Sequence, residues 1–220
     1  MPRTCQIVLF SATFNDQIRA YATRFAPNAN NISLKQEELS VDGIKQFYMD
    51  CKSTEHKIEI LQALYGLLTI GQSIIFVHRR DTAELLANKM KAEGHTVFAL
   101  HGKFDGAERD KIIDEFRAGQ FKVLITTNVL SRGIDILQIN VVLNFDLPTD
   151  QMGRPDFETY LHRIGRTGRF GRTGVSINFV HDEGSLKICK EIEKYFGREI
   201  VRVPTDSYLE IEKILKKDVK

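Results

Sequence analysis

The sequence predicts an α/β fold, a parallel sheet with helices on both faces. Three observations carry this. Short apolar runs of β character alternate with stretches of helical period about 10–15 residues long. One run, SIIFVH at 73–78, is apolar almost throughout, as a strand buried on both faces must be. Polar residues then follow the strands at their carboxyl ends, where open parallel sheets bind ligands.

The elements follow in order. QIVLF at 6–10 reads as a strand, and a helix at 15–26 sets Ile18, Tyr21, Ala22 and Phe25 on one face before Pro27 breaks it. KQEELSVDG at 35–43 is polar, ends in glycine and reads as a linker, with a domain boundary near residue 40. IKQFYMD at 44–50 is a strand, and 54–69 a helix with Ile58, Leu61, Leu64, Tyr65 and Leu68 in its apolar stripe. After SIIFVH, a helix at 81–93 is expected to start on Asp81 as N-cap, with Glu84 completing a capping box. Strand 96–100, helix 106–118, and strands 122–127 and 140–145 come next. A helix carrying Tyr160, His162 and Arg163 follows, then strand 175–180, helix 183–196 and a basic amphipathic helix at 207–217.

Basic and acidic residues nearly balance, 31 against 29, so bulk charge selects no partner class. The three cysteines Cys5, Cys51 and Cys189 are far apart, without metal-ligand spacing, and read as plain thiols of a reducing compartment. No signal peptide or apolar run of transmembrane length is present, so no membrane partner is expected.

The densest chemistry is HRIGRTGR at 162–169, where arginines and glycines interleave. A helix or strand gains nothing from this, because each interior glycine costs about 1 kcal/mol. Glycine suits a tight turn or close backbone approach, and arginine is a fixed, charged fork for phosphate oxygens. The stretch therefore reads as a phosphate-facing turn after a short helix. A second cluster, ITTNVLSRGID at 125–135, places small hydroxyls at a strand end, then a glycine and an aspartate, a set suited to a sugar-phosphate chain and a ribose. An internal ion pair between Arg132 and Asp135 is the structural alternative.

HRIGRTGR resembles motif VI of the DEAD-box RNA helicases. The resemblance implies a RecA-like helicase C-terminal domain at 44–220, preceded at 1–34 by a strand-helix remnant of a first RecA-like lobe. Two arginines of that motif, here Arg166 and Arg169, act catalytically in the family by reaching across a domain cleft to the γ-phosphate of ATP. ITTNVLSRGID resembles motif V, with Ser131 where alanine is usual. It implies RNA contacts from Thr126, Thr127 and Asn128, nucleotide contacts from Gly133 and Asp135, and lobe coupling through Arg132. SAT at 11–13 resembles motif III, which gives Ser11 and Thr13 a coupling role; His162 and Arg163 join that role as bridges between motifs. His101-Gly102 resembles the family's short turn, implying an RNA contact at Gly102. Arg109 matches the arginine of a Gln-x-x-Arg motif whose glutamine is Gly106 here, and implies a further RNA contact; pairing with Asp105 or Glu108 is its structural alternative. The runs IKQFYMDC and LYGLLTIGQSIIF, with the closing EIEKI, resemble the mRNA-export subfamily. That implies action at the cytoplasmic face of the nuclear pore, in cytoplasm and nucleus, with an export activator and inositol hexakisphosphate as partners.

No G-x-x-x-x-G-K-[S/T] and no Asp-Glu-Ala-Asp tetrad occurs. The cofactor implied is ATP with Mg²⁺ held by a first lobe that this sequence lacks, and no metal site is expected here. The reading is thus the second half of a monomeric two-lobe motor, beginning inside motif III and inactive as an ATPase alone. It would grip RNA by its backbone, without reading sequence. A non-catalytic RNA- or partner-binding module is the other reading. The arginine turn and Asp135 favour the motor; the missing phosphate cradle favours the module.

Overall fold

The computed structural model describes residues 5–10, 16–32, 43–128, 139–168 and 173–219. The chain divides into two compact units, Met1–Ser40 and Val41–Lys220. In the first, α1 (Asp16–Phe25) forms over the apolar spacing, and the Tyr21 and Phe25 rings lie 4.6 Å apart and exposed. Residues 5–10 do not form the expected strand, and Phe10 is 93% exposed. A strand needs neighbouring backbone for its ladder bonds, and no described residue supplies it here.

The second unit runs β1 (Ile44–Asp50), α2 (Thr54–Leu67), β2 (Gln72–Phe76), α3 (Arg80–Ala92), β3 (Val97–Leu100), α4 (Gly106–Arg117), β4 (Val123–Thr126), β5 (Ile139–Asn144), α5 (Phe157–Ile164), β6 (Gly174–Val180), α6 (Glu183–Phe196), β7 (Val201–Val203) and α7 (Tyr208–Leu215). The strands form one sheet in the order β3-β4-β2-β5-β6-β1-β7. Every pairing between them is parallel.

Alternation along the strands feeds two cores. On one face Ile75 and Val77 pack with Leu61 and Leu64 of α2, Leu86 of α3 and Ile211 of α7. On the other, Ile74 and Phe76 pack with Ile112 and Phe116 of α4. Farther along that second face, Tyr48 and Val180 meet Tyr160 and Ile164 of α5 and Ile192 of α6. β2 and β6 are buried along their whole length, which explains the apolar run at Ile74-Ile75-Phe76, while Ser176 and Asn178 are polar residues buried inside β6.

The one cap expected from the sequence, on Asp81, is not the one observed. α4 begins on a capping box between Asp105 and Glu108, and α6 on one between Asp182 and Ser185. α3 instead starts one residue early, with Arg79 at the N-cap and no side-chain cap bond. Asp81 pairs with Arg80, and Glu84 holds His101 Nε2 at 2.7 Å, so a partner distant in sequence outcompetes the local box. β7 was not expected, because three residues, two of them exposed, carry no readable period.

Asp182→Ala is expected to cost about 1 kcal/mol at neutral pH, read by urea unfolding. The Ser185 hydroxyl and backbone N–H hold the Asp182 carboxyl below its ordinary value of 3.8. Its contribution is complete above that value and lost as pH falls through the depressed one. Wild-type and variant stabilities should therefore converge only as pH falls well below 3.8.

Candidate functional site

Residues of the two motif clusters lie toward opposite edges of the sheet, and α5 joins them. The helix starts at the carboxyl rim, where Asp156 N donates to Pro148 O just beyond β5. Asp156 caps it by accepting from Thr159 N at 2.9 Å and Thr159 Oγ1 at 2.7 Å. It ends at the amino edge, where Thr167 Oγ1 lies 2.8 Å from Ile139 O and 2.9 Å from Asn140 O at the start of β5. Gly168 follows with φ +69°, and a Cβ there would meet Ile44 Cγ1 at 2.6 Å and Gly43 O at 3.1 Å. A Cβ on Gly174 would collide with Gly168 N and Thr167 Oγ1. Both glycines are thus required by a turn packed against three strand starts, not by flexibility.

Within that turn Arg166 is largely buried, and its Nε donates to His162 O at 2.9 Å. This bond fixes the root of the guanidinium against the last turn of α5. His162 is half-buried in the same turn.

Arg163 is fully buried, and its side chain runs back toward the helix start, as helix geometry directs. It reaches the carboxyl rim. Nη1 donates to Asn144 Oδ1 at 2.9 Å and Asp146 O at 2.7 Å; Nε and Nη2 donate to Asn128 Oδ1 at 3.2 and 2.5 Å. The guanidinium also lies 4.8 Å from the Phe76 ring centre. Burial pushes Arg163 down to about 9, against the upward pull of the Asp146 and Asp156 carboxylates, so it stays charged at neutral pH.

The remaining rim residues separate by exposure. Thr126 is buried and its hydroxyl donates to Thr127 O at 3.0 Å, while Thr127 is half-buried and Asn128 exposed. Gly102 is exposed beside buried His101. Arg109 pairs with neither Asp105 nor Glu108, whose carboxylates accept each other's backbone N–H; its Nε donates to Phe104 O at 2.9 Å. Asp146 accepts from His78 N at 2.9 Å and lies 3.5 Å from the buried Lys57 ammonium, giving the rim internal charge balance. Ser11, Thr13, Arg132, Gly133, Asp135 and Arg169 lie outside the described residues, as does most of the expected linker at 35–43.

Residues 56–171 match the family described as Helicase conserved C-terminal domain. The chain belongs to this family. An ATP-dependent RNA helicase, dbp5 of Schizosaccharomyces pombe, is 63% identical over 220 residues, covering all of this chain and 44% of that protein. The chain thus spans under half the length of that relative. A structure of S. cerevisiae Dbp5 bound to RNA and ADP BeF3 matches with TM-score 0.91 and 56% identity, over all of this chain and 56% of that one. A C-terminal domain of an S. cerevisiae Dbp5 variant, bound to a Gle1 variant and IP6, matches with TM-score 0.75 and 56% identity, over 80% of this chain and 98% of that one.

In this helicase C-terminal domain, the polar interior around Arg163 went unread in the sequence. Asn144 and Asn178, polar residues within the strands expected at 140–145 and 175–180, stand opposite each other in register on β5 and β6. That pairing, invisible before the strand order is known, was the available signal. Gln46 and Tyr160 complete the group.

Gly168→Ala is expected to destabilise the domain by about 2 kcal/mol or more, from left-handed strain and the clash with Ile44. Thermal unfolding checks this. Gly119→Ala also sits at positive φ, with open space around the Cβ, and should cost less.

Proposed function

We propose that this chain is the second lobe of a DEAD-box, ATP-dependent RNA helicase working in mRNA export. The observation that carries the reading is the Arg166 turn, a guanidinium rooted on His162 O just before the glycine-dependent backbone contacts of Gly168 and Gly174. A cation held this way suits a polyphosphate presented by another body, and no phosphate cradle occurs in this sequence to present one. The similar dbp5 of Schizosaccharomyces pombe, an ATP-dependent RNA helicase, and the similar Dbp5 bound to RNA and ADP BeF3 support the same reading.

In this reading residues 1–34 belong to the first RecA-like lobe, 35–43 link the lobes, and 44–220 form the second. The exposed apolar face of α1 supports the first assignment, since such faces ordinarily seek cover. The nucleotide supplies the phosphoryl group, and Mg²⁺ belongs to the first lobe. Arg166, with Arg169, neutralises charge developing on the transferred phosphoryl; Asp135 and Gly133 lie along the nucleotide. Ser11, Thr13, Arg132 and His162 couple the lobes. At the other edge, Thr127, Asn128, Gly102 and Arg109 meet the RNA backbone, with Thr126 beneath them. Contacts to phosphate and sugar hold the strand without reading bases. An export activator with inositol hexakisphosphate docks on this lobe, as the Gle1 and IP6 complex of the similar Dbp5 domain supports. The protein acts as a monomer at the cytoplasmic face of the nuclear pore, in cytoplasm and nucleus.

The test is RNA-stimulated ATP hydrolysis by this chain, alone and joined to a lobe carrying the P-loop and acidic tetrad. Silence alone and activity when joined are expected, with Arg166→Ala lowering turnover about 10³–10⁵-fold. Silence in both would leave a binding module. RNA binding by the joined protein is expected to weaken with salt, and Arg109→Ala should reduce the log–log slope by about 0.7, one single-strand phosphate contact.

A further inference from the structure

Between the arginine turn and the rim runs a set of buried polar side chains that the proposed reaction does not use. It starts at Arg163, whose Nη1 donates to Asn144 Oδ1 at 2.9 Å. Asn144 Nδ2 donates to Asn178 Oδ1 at 2.8 Å. Asn178 Nδ2 donates to the Tyr160 hydroxyl at 3.1 Å and to Phe47 O at 3.0 Å. The Tyr160 hydroxyl donates to Gln46 Oε1 at 2.7 Å. Arg163, Asn144, Asn178 and Tyr160 are fully buried, and Gln46 is 5% exposed.

Two features set this apart from ordinary core polarity. All four links donate in one sense, away from the charged guanidinium, so each bond polarises the next. The set also spans three strands and a helix, fixing α5 to β5, β6 and β1 at once. The fold does not require it, because apolar side chains of similar volume would fill these positions without the desolvation cost. What the set supplies is a single orientation for Arg163, which carries Asn128 at one edge while its own helix ends in the Arg166 turn at the other.

We propose that Asn144, Asn178 and Tyr160 are positioning residues, a strut that makes the RNA rim and the phosphate-facing turn move as one body. The inference rests on the function proposed above. Loosening the strut would misplace Asn128 and Arg166 together. Nucleotide affinity would change less, because in that reading the phosphate cradle and Mg²⁺ belong to the first lobe.

The test uses the chain joined to a first lobe, with Asn144→Ala and Tyr160→Phe. The second variant removes one hydroxyl and keeps the ring beside Phe196. Asn144→Ala is expected to lower kcat at saturating RNA by up to about 100-fold, the scale of an ångström of misplacement. It should also raise the RNA concentration for half-stimulation, with the KM for ATP changing less than either. Tyr160→Phe should shift the same two quantities in the same direction, less far. Folded variants with wild-type kcat and RNA dependence overturn the strut. So does a fall in kcat without a change in RNA dependence, because one edge would then move without the other. If Asn144→Ala does not fold, Tyr160→Phe decides alone. An inactive wild-type fusion overturns the functional reading, and this inference with it; an active wild type with indifferent variants overturns the strut only.

Discussion

A guanidinium charge with no solvent contact is the constraint around which the second unit is arranged. Removing such a charge from water is expensive unless its hydrogen-bonding groups are met and its field is answered. Arg163 meets both demands from three directions: Asn128 beyond β4, Asn144 and Asp146 O at the end of β5, and the Phe76 face from β2. Counter-charge sits one layer out, in Asp146 and Asp156. Asp146 is in turn balanced by Lys57, whose ammonium donates to Phe145 O and lies 5.1 Å from the Phe145 ring centre. Neutral amides in direct contact and carboxylates at a remove keep Arg163 charged without a second unpaired charge in the core. Loss of either asparagine would leave donors of a buried cation unmet, which is worse than never having buried it.

That constraint explains why the motif residues hold together although they approach opposite edges of the sheet. A parallel sheet collects its loops at two rims, and residues at one rim do not touch those at the other. α5 crosses between them in eight residues, and the backward lean of its side chains lets Arg163 return to the rim the helix has just left. One short helix therefore presents Arg166 below and holds Asn128 above. Both attachments are rigid: the lower through Thr167 and two glycines that admit no side chain, the upper through a buried cation.

Much of this was legible in advance. The long alternating elements declared themselves, because burial on both faces gives β2 its run Ile74-Ile75-Phe76 and leaves β6 mostly apolar. The arginine turn was legible because glycine and arginine together suit so few local structures. The expected strand at 6–10 failed because β character needs a partner that its own residues do not encode. The α3 cap failed for a related reason: Glu84 answers to His101, seventeen residues away. The polar interior was the least legible part. Asn144 and Asn178 acquire meaning only when strand order sets them side by side, and Tyr160 only when α5 is laid across both.

Rigidity across the lobe bears on how two ligands can be coupled at all. A ligand moves a conformational equilibrium only by its differential affinity for the two states. On the proposed function, if the phosphate-facing turn and the RNA rim could shift independently, occupancy at one edge would order that edge alone, and the differential would be dissipated in local adjustment. A lobe whose two edges share one buried cation has fewer such adjustments open to it. The desolvation cost of Arg163 is a constant of the folded lobe, the same whether or not ligands are bound, so it does not weaken either site. What it yields is that ordering at one edge is already ordering at the other. On the proposed function, closure of such a lobe on a nucleotide-bearing partner would be a rigid-body event, in which the affinities at both edges add.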